Sequence, residues 1–219
     1  MKYVISIIVI CYNNEKYIKK CLSSILCQLN NKMELIVIND GSIDNSPRII
    51  EETLRGILNT KIITIDNSGI SNARNIGIEK SNGEFLIFVD GDDFISYNSL
   101  YYILNYIENN SFDLLLLNTI KYYEISNKYE KEILTIKKSK NIEVYELIDN
   151  KIFGRAWRFV YNRNLIIQNN IRFHQNLIYE DEEWIPKVIF FANKIDYLNI
   201  PYYFLSENSK YYNDSKNNQ

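Results

Sequence analysis

Apolar runs recur along the first ninety positions, separated by polar stretches with turn-forming residues. Ile5 to Ile10, Glu34 to Ile38, Lys61 to Ile65 and Phe85 to Val89 are short, rich in Ile and Val, and nearly continuous in apolarity. That is the pattern of strands buried on both faces. Between them the spacing changes to that of helices. Asn14 to Gln28 places Tyr17, Ile18, Cys21, Leu22 and Ile25 three or four residues apart, which lines one helical face. Ser46-Pro47 reads as a helix start, with Ser as N-cap and Pro at the first helical position. Ile49, Ile50, Leu54, Ile57 and Leu58 then mark one face. Ile70 to Glu79 is a third, shorter helix. The order β-α-β-α-β-α-β predicts a parallel sheet covered on both faces, with right-handed crossovers.

The second half follows another pattern. Asn98 to Asn110 reads as helix and Phe112 to Tyr123 as a strand that Tyr129 to Lys137 could pair with. Ile142 to Phe153 and Asp181 to Asn193 read as helices, and Ile195 to Leu205 as a late strand. The expectation is a mixed-sheet extension packed on the first unit, followed by a polar tail, 206–219, with too little apolar content to order itself. The run Val4 to Cys11 is too short to span a bilayer and has no cleavage site, so the chain is expected in the cytoplasm.

Composition narrows the function classes. The 25 Lys and Arg against 27 Asp and Glu leave no basic stripe for nucleic acid. Cys11, Cys21 and Cys27 show no CxxC spacing, so neither a disulfide framework nor a zinc site follows. One His leaves little room for His-based metal sites or triads. Asn, Ile, Lys and Tyr, including 18 Tyr, are heavily used; an AT-rich genome explains this ahead of a Tyr-rich carbohydrate surface.

Ligands of open α/β sheets bind beyond the carboxyl ends of the strands. Four tips are thereby selected: Cys11 to Glu15, Asn39 to Ser42, Asp66 to Gly69 leading to Arg74, and Asp90 to Asp93. One such tip is ordinary turn chemistry; four on one edge point to a site. Asp90-Gly91-Asp92-Asp93 packs three carboxylates into four residues. Their repulsion calls for a cation or donors, and oxygen ligands suit Mg2+ or Mn2+. GxGxxG and GxxxxGK[ST] are both missing, so no glycine-rich phosphate cradle is expected.

Four segments together carry a resemblance: ISIIVICYNNEKYIKKCLSSILCQ from Ile5, ELIVINDGSIDNS from Glu34, NSGISNARNIG from Asn67 and GEFLIFVDGDD from Gly83. In this order they are similar to glycosyltransferase family 2 with the GT-A fold. AWRFVYNRNLIIQNNIRF from Ala156 and IYEDEEW from Ile178 resemble the acceptor-side segment and Glu-Asp element of its bacterial polysaccharide-building members. The resemblance implies a Rossmann-like, three-layer α/β/α domain over 1–205, with a mostly parallel central sheet. Residues 1–93 would form the nucleotide-sugar half and 94–205 the acceptor half.

The resemblance also implies roles. Tyr12 would lie against the uracil of a UDP-sugar, Asp40 would accept its N3 proton, and Glu15, Asn67 and Gly69 would complete the donor site. Arg74 would meet the diphosphate or orient the acids. Asp90 would meet the ribose or the metal, and Asp92 the Mn2+ or Mg2+ bridging the diphosphate. Asp181 would be the general base of an inverting transfer to a hydroxyl, ahead of Glu180, Glu182 and Glu183. Trp157 and Trp184 are possible platforms for sugar rings, with core packing at least as good a reading for Trp184. The implied acceptor is a surface glycan, lipid-linked, with peripheral association with the membrane or other assembly enzymes. A polyprenyl-phosphate sugar synthase and a non-catalytic nucleotide-sugar-binding module are the alternatives. The chain departs from the family at Ile10, often Pro, and at Asn39, often Asp. His174 reads as structural, and 201–219 contain no Arg or His, only Lys210 and Lys216.

Overall fold

The computed structural model describes residues 3–123, 126–132, 134–152 and 154–207. Most of the expected tail lies outside the described residues.

The first half runs β1 (Ile5–Cys11), α1 (Ile18–Leu26), β2 (Met33–Asp40), α2 (Ser46–Leu54), β3 (Thr60–Ile65), α3 (Ile70–Lys80) and β4 (Phe85–Asp90). The second half adds β5 (Phe94–Ile95), α4 (Ser99–Asn109), β6 (Leu114–Tyr123), β7 (Lys128–Lys131), α5 (Val144–Asp149), β8 (Phe159–Asn162), α6 (Arg163–Gln168), α7 (Glu180–Phe191) and β9 (Ile195–Glu207). One sheet joins all the strands in the order β3-β2-β1-β4-β8-β6-β9-β5, with β7 on β6. β1, β2, β3 and β4 pair parallel, as does β6 with β9. The antiparallel ladders extend over only two to four residue pairs each. By length the pairing is therefore mostly parallel, in a GT-A-like α/β fold.

Alternation along the strands sorts side chains into two layers. Ile5, Ile7, Val9 and Cys11 pack with Ile18, Cys21, Leu22 and Ile25 of α1 and Leu100 and Ile103 of α4. Ile8, Ile10, Ile36 and Ile38 face Ala73 and Ile78 of α3 and Trp184, Ile185 and Val188 of α7. Both faces of β1, β2 and β4 are dry, so their apolar residues contribute burial, while β3 at the sheet edge is partly exposed. Among the described residues no helix is long and apolar enough to cross a membrane.

Several local expectations change. Asn45, not Ser46, is the N-cap of α2, and Pro47 follows one residue inside the helix. The Ser46 side chain instead reaches back to the first tip, where its Oγ accepts the Asn14 N–H at 2.8 Å. Ile57 and Leu58 lie past the end of α2 and are exposed. The helical spacing from Asn14 begins as a turn, with Tyr17 and Ile18 N–H both donating to Asn14 O, and α1 proper starts at Ile18. Tyr129 to Lys137 pairs with β6 only as far as Lys131; Ile133 lies outside the described residues. The Ile142 to Phe153 helix shortens to Val144–Asp149, and Phe153 lies outside the described residues. β5, β8 and α6 have no counterpart in the periodicity. They are short, and their register comes from neighbours rather than from a pattern of their own.

Candidate active site

The carboxyl ends of β1, β2 and β4 and the loop after β3 converge on a cleft of about 460 Å³. It is lined by Ile10, Tyr12, Asn14, Asp40, Asn67, Gly69, Ile70, Asp90, Gly91 and Asp92. Tyr12, Asp40, Asn67, Gly69, Asp90 and Asp92 of the expected set therefore share one wall-to-wall space.

The loops are built to keep that space open. Gly41 has φ +68°, and a Cβ there would stand 2.6 Å from Asn67 N, so only Gly lets the second and third tips touch. At Gly91 a Cβ would stand 2.8 Å from both Asn14 Oδ1 and Ile10 O. Asp40 is nearly buried and accepts from Ser68 N–H at 2.9 Å and Gly69 N–H at 3.0 Å. It ties the second tip to the third; a carboxylate has further lone pairs to offer a ligand donor. Tyr12 is half exposed, an available ring at the mouth.

Glu15 is absent from the cleft lining. Its Oε2 accepts from Asn45 N–H at 3.0 Å and Asn45 Nδ2 at 2.9 Å, next to the start of α2, where the helix dipole favours an acid. Trp157 and Trp184 are no sugar platforms, because both are buried. Trp157 stacks on Tyr203 with centroids 4.3 Å apart, and Trp184 on Phe173 at 4.1 Å. Flat aromatic faces are covered first by other rings when the core supplies them.

Arg74 joins the cleft to α7. Its side chain is 2% exposed. Nη2 donates to Asp90 Oδ1 at 3.0 Å, and Nη1 to Asp181 Oδ1 at 3.2 Å and to Glu180. One planar guanidinium thus holds acids from β4 and α7, a use for which the fork geometry suits Arg and not Lys. Its own burial would favour the neutral form, but Asp90, Asp181 and Glu180 outweigh that and keep it charged. Asp181 Oδ2 also accepts the Ala156 N–H at 3.0 Å. Burial pushes the Asp181 carboxyl up, yet Arg74, Glu180 and the Ala156 N–H together hold it below the usual range. Glu180 is pushed up to about 7 by burial and by its bond to Asp181. Arg74 and the Ala156 N–H thus favour the charged form of Asp181, while burial disfavours that of Glu180.

The Asp90 to Asp93 turn divides its acids. Asp90 and Asp92 face the cleft, while Asp93 turns inward and is 4% exposed. Among the described residues the Asp92 carboxyl accepts only from its own backbone N–H, and burial with the charge of Asp90 raises it to about 6. A half-compensated pair of carboxylates facing one space fits a divalent cation. Among the described residues no group of three or more His, Cys, Asp or Glu is arranged to hold a metal. Two protein oxygens fit a Mg2+- or Mn2+-type ion that keeps water or takes phosphate oxygens as its other ligands.

Sequence reasoning gave no role to Asn14, whose Oδ1 accepts the Tyr12 N–H at 3.1 Å, to Asp93, named only within its acidic cluster, or to Tyr203. Asn14 stands within the first tip, so its position was a usable signal. Tyr203 carried no signal, being one Tyr among 18. A larger hollow of about 870 Å³ lies by the 169–176 loop, with Arg172, His174 and Lys187 in its lining. None of the cleft acids reaches it, and Lys187 is paired with Glu183.

Residues 6–172 match the family described as Glycosyl transferase family 2. The putative glycosyltransferase EpsH of Bacillus subtilis (strain 168) is 32% identical over 205 residues, covering 91% of this chain and 59% of that protein. A teichoic acid poly(glycerol phosphate) polymerase of Staphylococcus epidermidis is 28% identical over 211 residues, covering 93% of this chain and 28% of that protein. The crystal structure of S. aureus TarS 1-349 in complex with UDP-GlcNAc superposes with a TM-score of 0.82 at 29% identity, covering 94% of this chain and 59% of that one. The chain spans 59% of EpsH and 59% of that TarS chain.

Proposed function

The chain belongs to glycosyl transferase family 2, and on that premise we propose that it is a metal-dependent, inverting glycosyltransferase. It moves a sugar from UDP to a hydroxyl of a lipid-linked surface glycan, at the cytoplasmic face of the membrane. The observation that carries the reading is the Arg74 guanidinium, which binds Asp90 of the cleft and Asp181 of α7 at once. A donor-side acid and a candidate base are thereby held side by side. Residues 1–205 work as one catalytic unit, with 1–93 supplying most donor contacts and 94–205 the base.

In this reading Tyr12 stacks on the uracil and Asp40 accepts its N3–H, while Asn67 and Gly69 offer backbone and amide groups to the nucleoside. Glu15 acts at one remove, by holding Asn45 beside the first tip. Asp90 and Asp92 hold Mn2+ or Mg2+, which supplies charge to offset that developing on the leaving diphosphate. Asp181, kept ionised by Arg74, takes the acceptor proton as the hydroxyl oxygen bonds to the anomeric carbon. The bond from that carbon to the diphosphate oxygen breaks on the opposite face, and UDP leaves with the electron pair. Support comes from the relatives: TarS has been crystallised with UDP-GlcNAc, and a teichoic acid polymerase shares the sequence pattern.

A panel of UDP-sugars read by UDP release, with and without Mn2+, tests the proposal. Mn2+-dependent release with at least one sugar is expected. Calorimetry showing no Mn2+-dependent binding of UDP would sink it.

A further inference from the structure

The turn after β4 needs a reason to hold two acids toward the cleft and send the third inward. Asp93 receives a separate donor on each oxygen. Tyr203 Oη–H donates to Oδ2 at 2.8 Å, and the Ser206 N–H donates to Oδ1 at 2.7 Å. Tyr203 Oη also accepts the Asp90 N–H at 3.0 Å. Inside the turn, the Asp93 N–H donates to Asp90 O at 3.0 Å. One phenol oxygen therefore touches both ends of the turn, using a donor for one and a lone pair for the other.

The phenol is itself immobilised. Tyr203 is fully buried and stacks on Trp157 with an interplanar angle of 4°. Its backbone sits opposite Ile95 in the β5–β9 ladder, which brings β9 to the turn. The Asp93 carboxyl is 4% exposed, and its two donors are what keep it seated.

We propose that Tyr203 is a positioning residue for the carboxylates of Asp90 and Asp92: its hydroxyl bridges the Asp90 N–H to Asp93 and so holds the turn in the shape that aims both acids into the cleft. This rests on the reading of the cleft as a nucleoside-diphosphate and metal site, and it adds what sets the ligand geometry. Partners that orient metal ligands are worth about 10- to 100-fold in metal affinity, because a ligand displaced by a fraction of an ångström no longer fits.

The test is calorimetry of UDP binding, in EDTA and in Mn2+, on the wild type and on Tyr203→Phe, Asp93→Asn, Asp93→Ala and Asp92→Asn, with folding checked by near-UV circular dichroism. Tyr203→Phe keeps the ring on Trp157 and deletes only the bridge. Its metal-free UDP affinity should stay within about two-fold of wild type, and the gain in affinity on adding Mn2+ should shrink about 10-fold. Asp93→Ala removes the bridge from its other end and should reproduce that loss even if Tyr203→Phe does not fold. Asp93→Asn can still accept from Ser206 and place its amide N–H on Tyr203 Oη, so it should keep the gain to within about three-fold. Three results would overturn the inference: a full Mn2+ gain in Tyr203→Phe or Asp93→Ala, an equal loss of metal-free UDP binding, or an Asp93→Asn as defective as Asp92→Asn, which would make Asp93 a ligand. A wild type with no Mn2+ gain overturns the metal reading and this inference together.

Discussion

A carboxylate that is partly buried with little to offset its charge stores a cost in the protein and an opportunity for a ligand. Asp92 is that residue here. Its carboxyl is raised to about 6 by burial and by Asp90, so the native state binds its proton more tightly than the unfolded chain does. The sign follows: between about pH 4 and about pH 6, the contribution of Asp92 to metal-free stability falls as pH rises. Mn2+ must displace that proton below about pH 6, so its affinity should climb with pH to there and then level off. Asp92→Asn should abolish Mn2+ binding while stabilising the metal-free protein at pH 7.5 by about 1 kcal/mol, a Tm rise of about 2–4 °C by calorimetry. Asp181 poses the opposite case, since Arg74 holds it charged. Asp181→Asn should leave UDP binding unchanged and slow transfer about 10²- to 10⁴-fold. Unchanged turnover would remove it as the base. Asp40, Asp90 and Asp92 could be picked from the sequence because acids at strand tips are a local pattern, whereas Asp181 stood out from its acidic neighbours only through the family resemblance. Glu15 and Trp157 could be picked just as easily, and their partners in the fold, Asn45 and Tyr203, give them other roles.

At the scale of elements, the parallel half was legible almost to the residue. β1 to β4 start and end within two positions of their apolar runs, because a short, continuous Ile- and Val-rich run bounded by polar residues writes a strand's length directly into the sequence. Element contacts were less visible. α3 lies so close to β1 that a Cβ on Gly77 would stand 2.3 Å from Ile8 Cγ2. Gly77→Ala gains about 1 kcal/mol of helix propensity but overpacks this contact, which costs about 1–3 kcal/mol. A net loss of about 1 kcal/mol is expected in urea melts, and Ile8→Ala with Gly77→Ala should lose less than the sum of the single changes. Additivity of the two would show that the contact carries no strain. β8, at four residues, was invisible because so short a segment has no period of its own. Its pairing with β4 and β6 comes from a neighbour that supplies open hydrogen bonds.

For the whole molecule, the second half is threaded into the first. β8, β6 and β9 extend the sheet beyond β4, and β9 returns past the Asp90 to Asp93 turn to pair with β5. The two halves of the chain should therefore melt together, and ligand in the cleft should stabilise both. UDP with Mn2+ at about 100 times its dissociation constant should add about 2.7 kcal/mol, a Tm increase of about 5–11 °C at this size. Asp40→Ala should remove most of that shift, and a shift confined to one of two separate transitions would contradict the coupling.

From the sequence alone came what is written at short range: the β-α-β order, the lengths of β1 to β4, the four polar tips on one edge, and the acids they carry. Each of these depends on residues within a few positions of one another, where periodicity and turn chemistry act. Only the tertiary structure decided which acids meet. Arg74 lies 107 residues from Asp181, and Asp93 lies 110 residues from Tyr203. No local pattern specifies such pairs, because they arise when burial leaves a charge or a hydroxyl with one partner in reach.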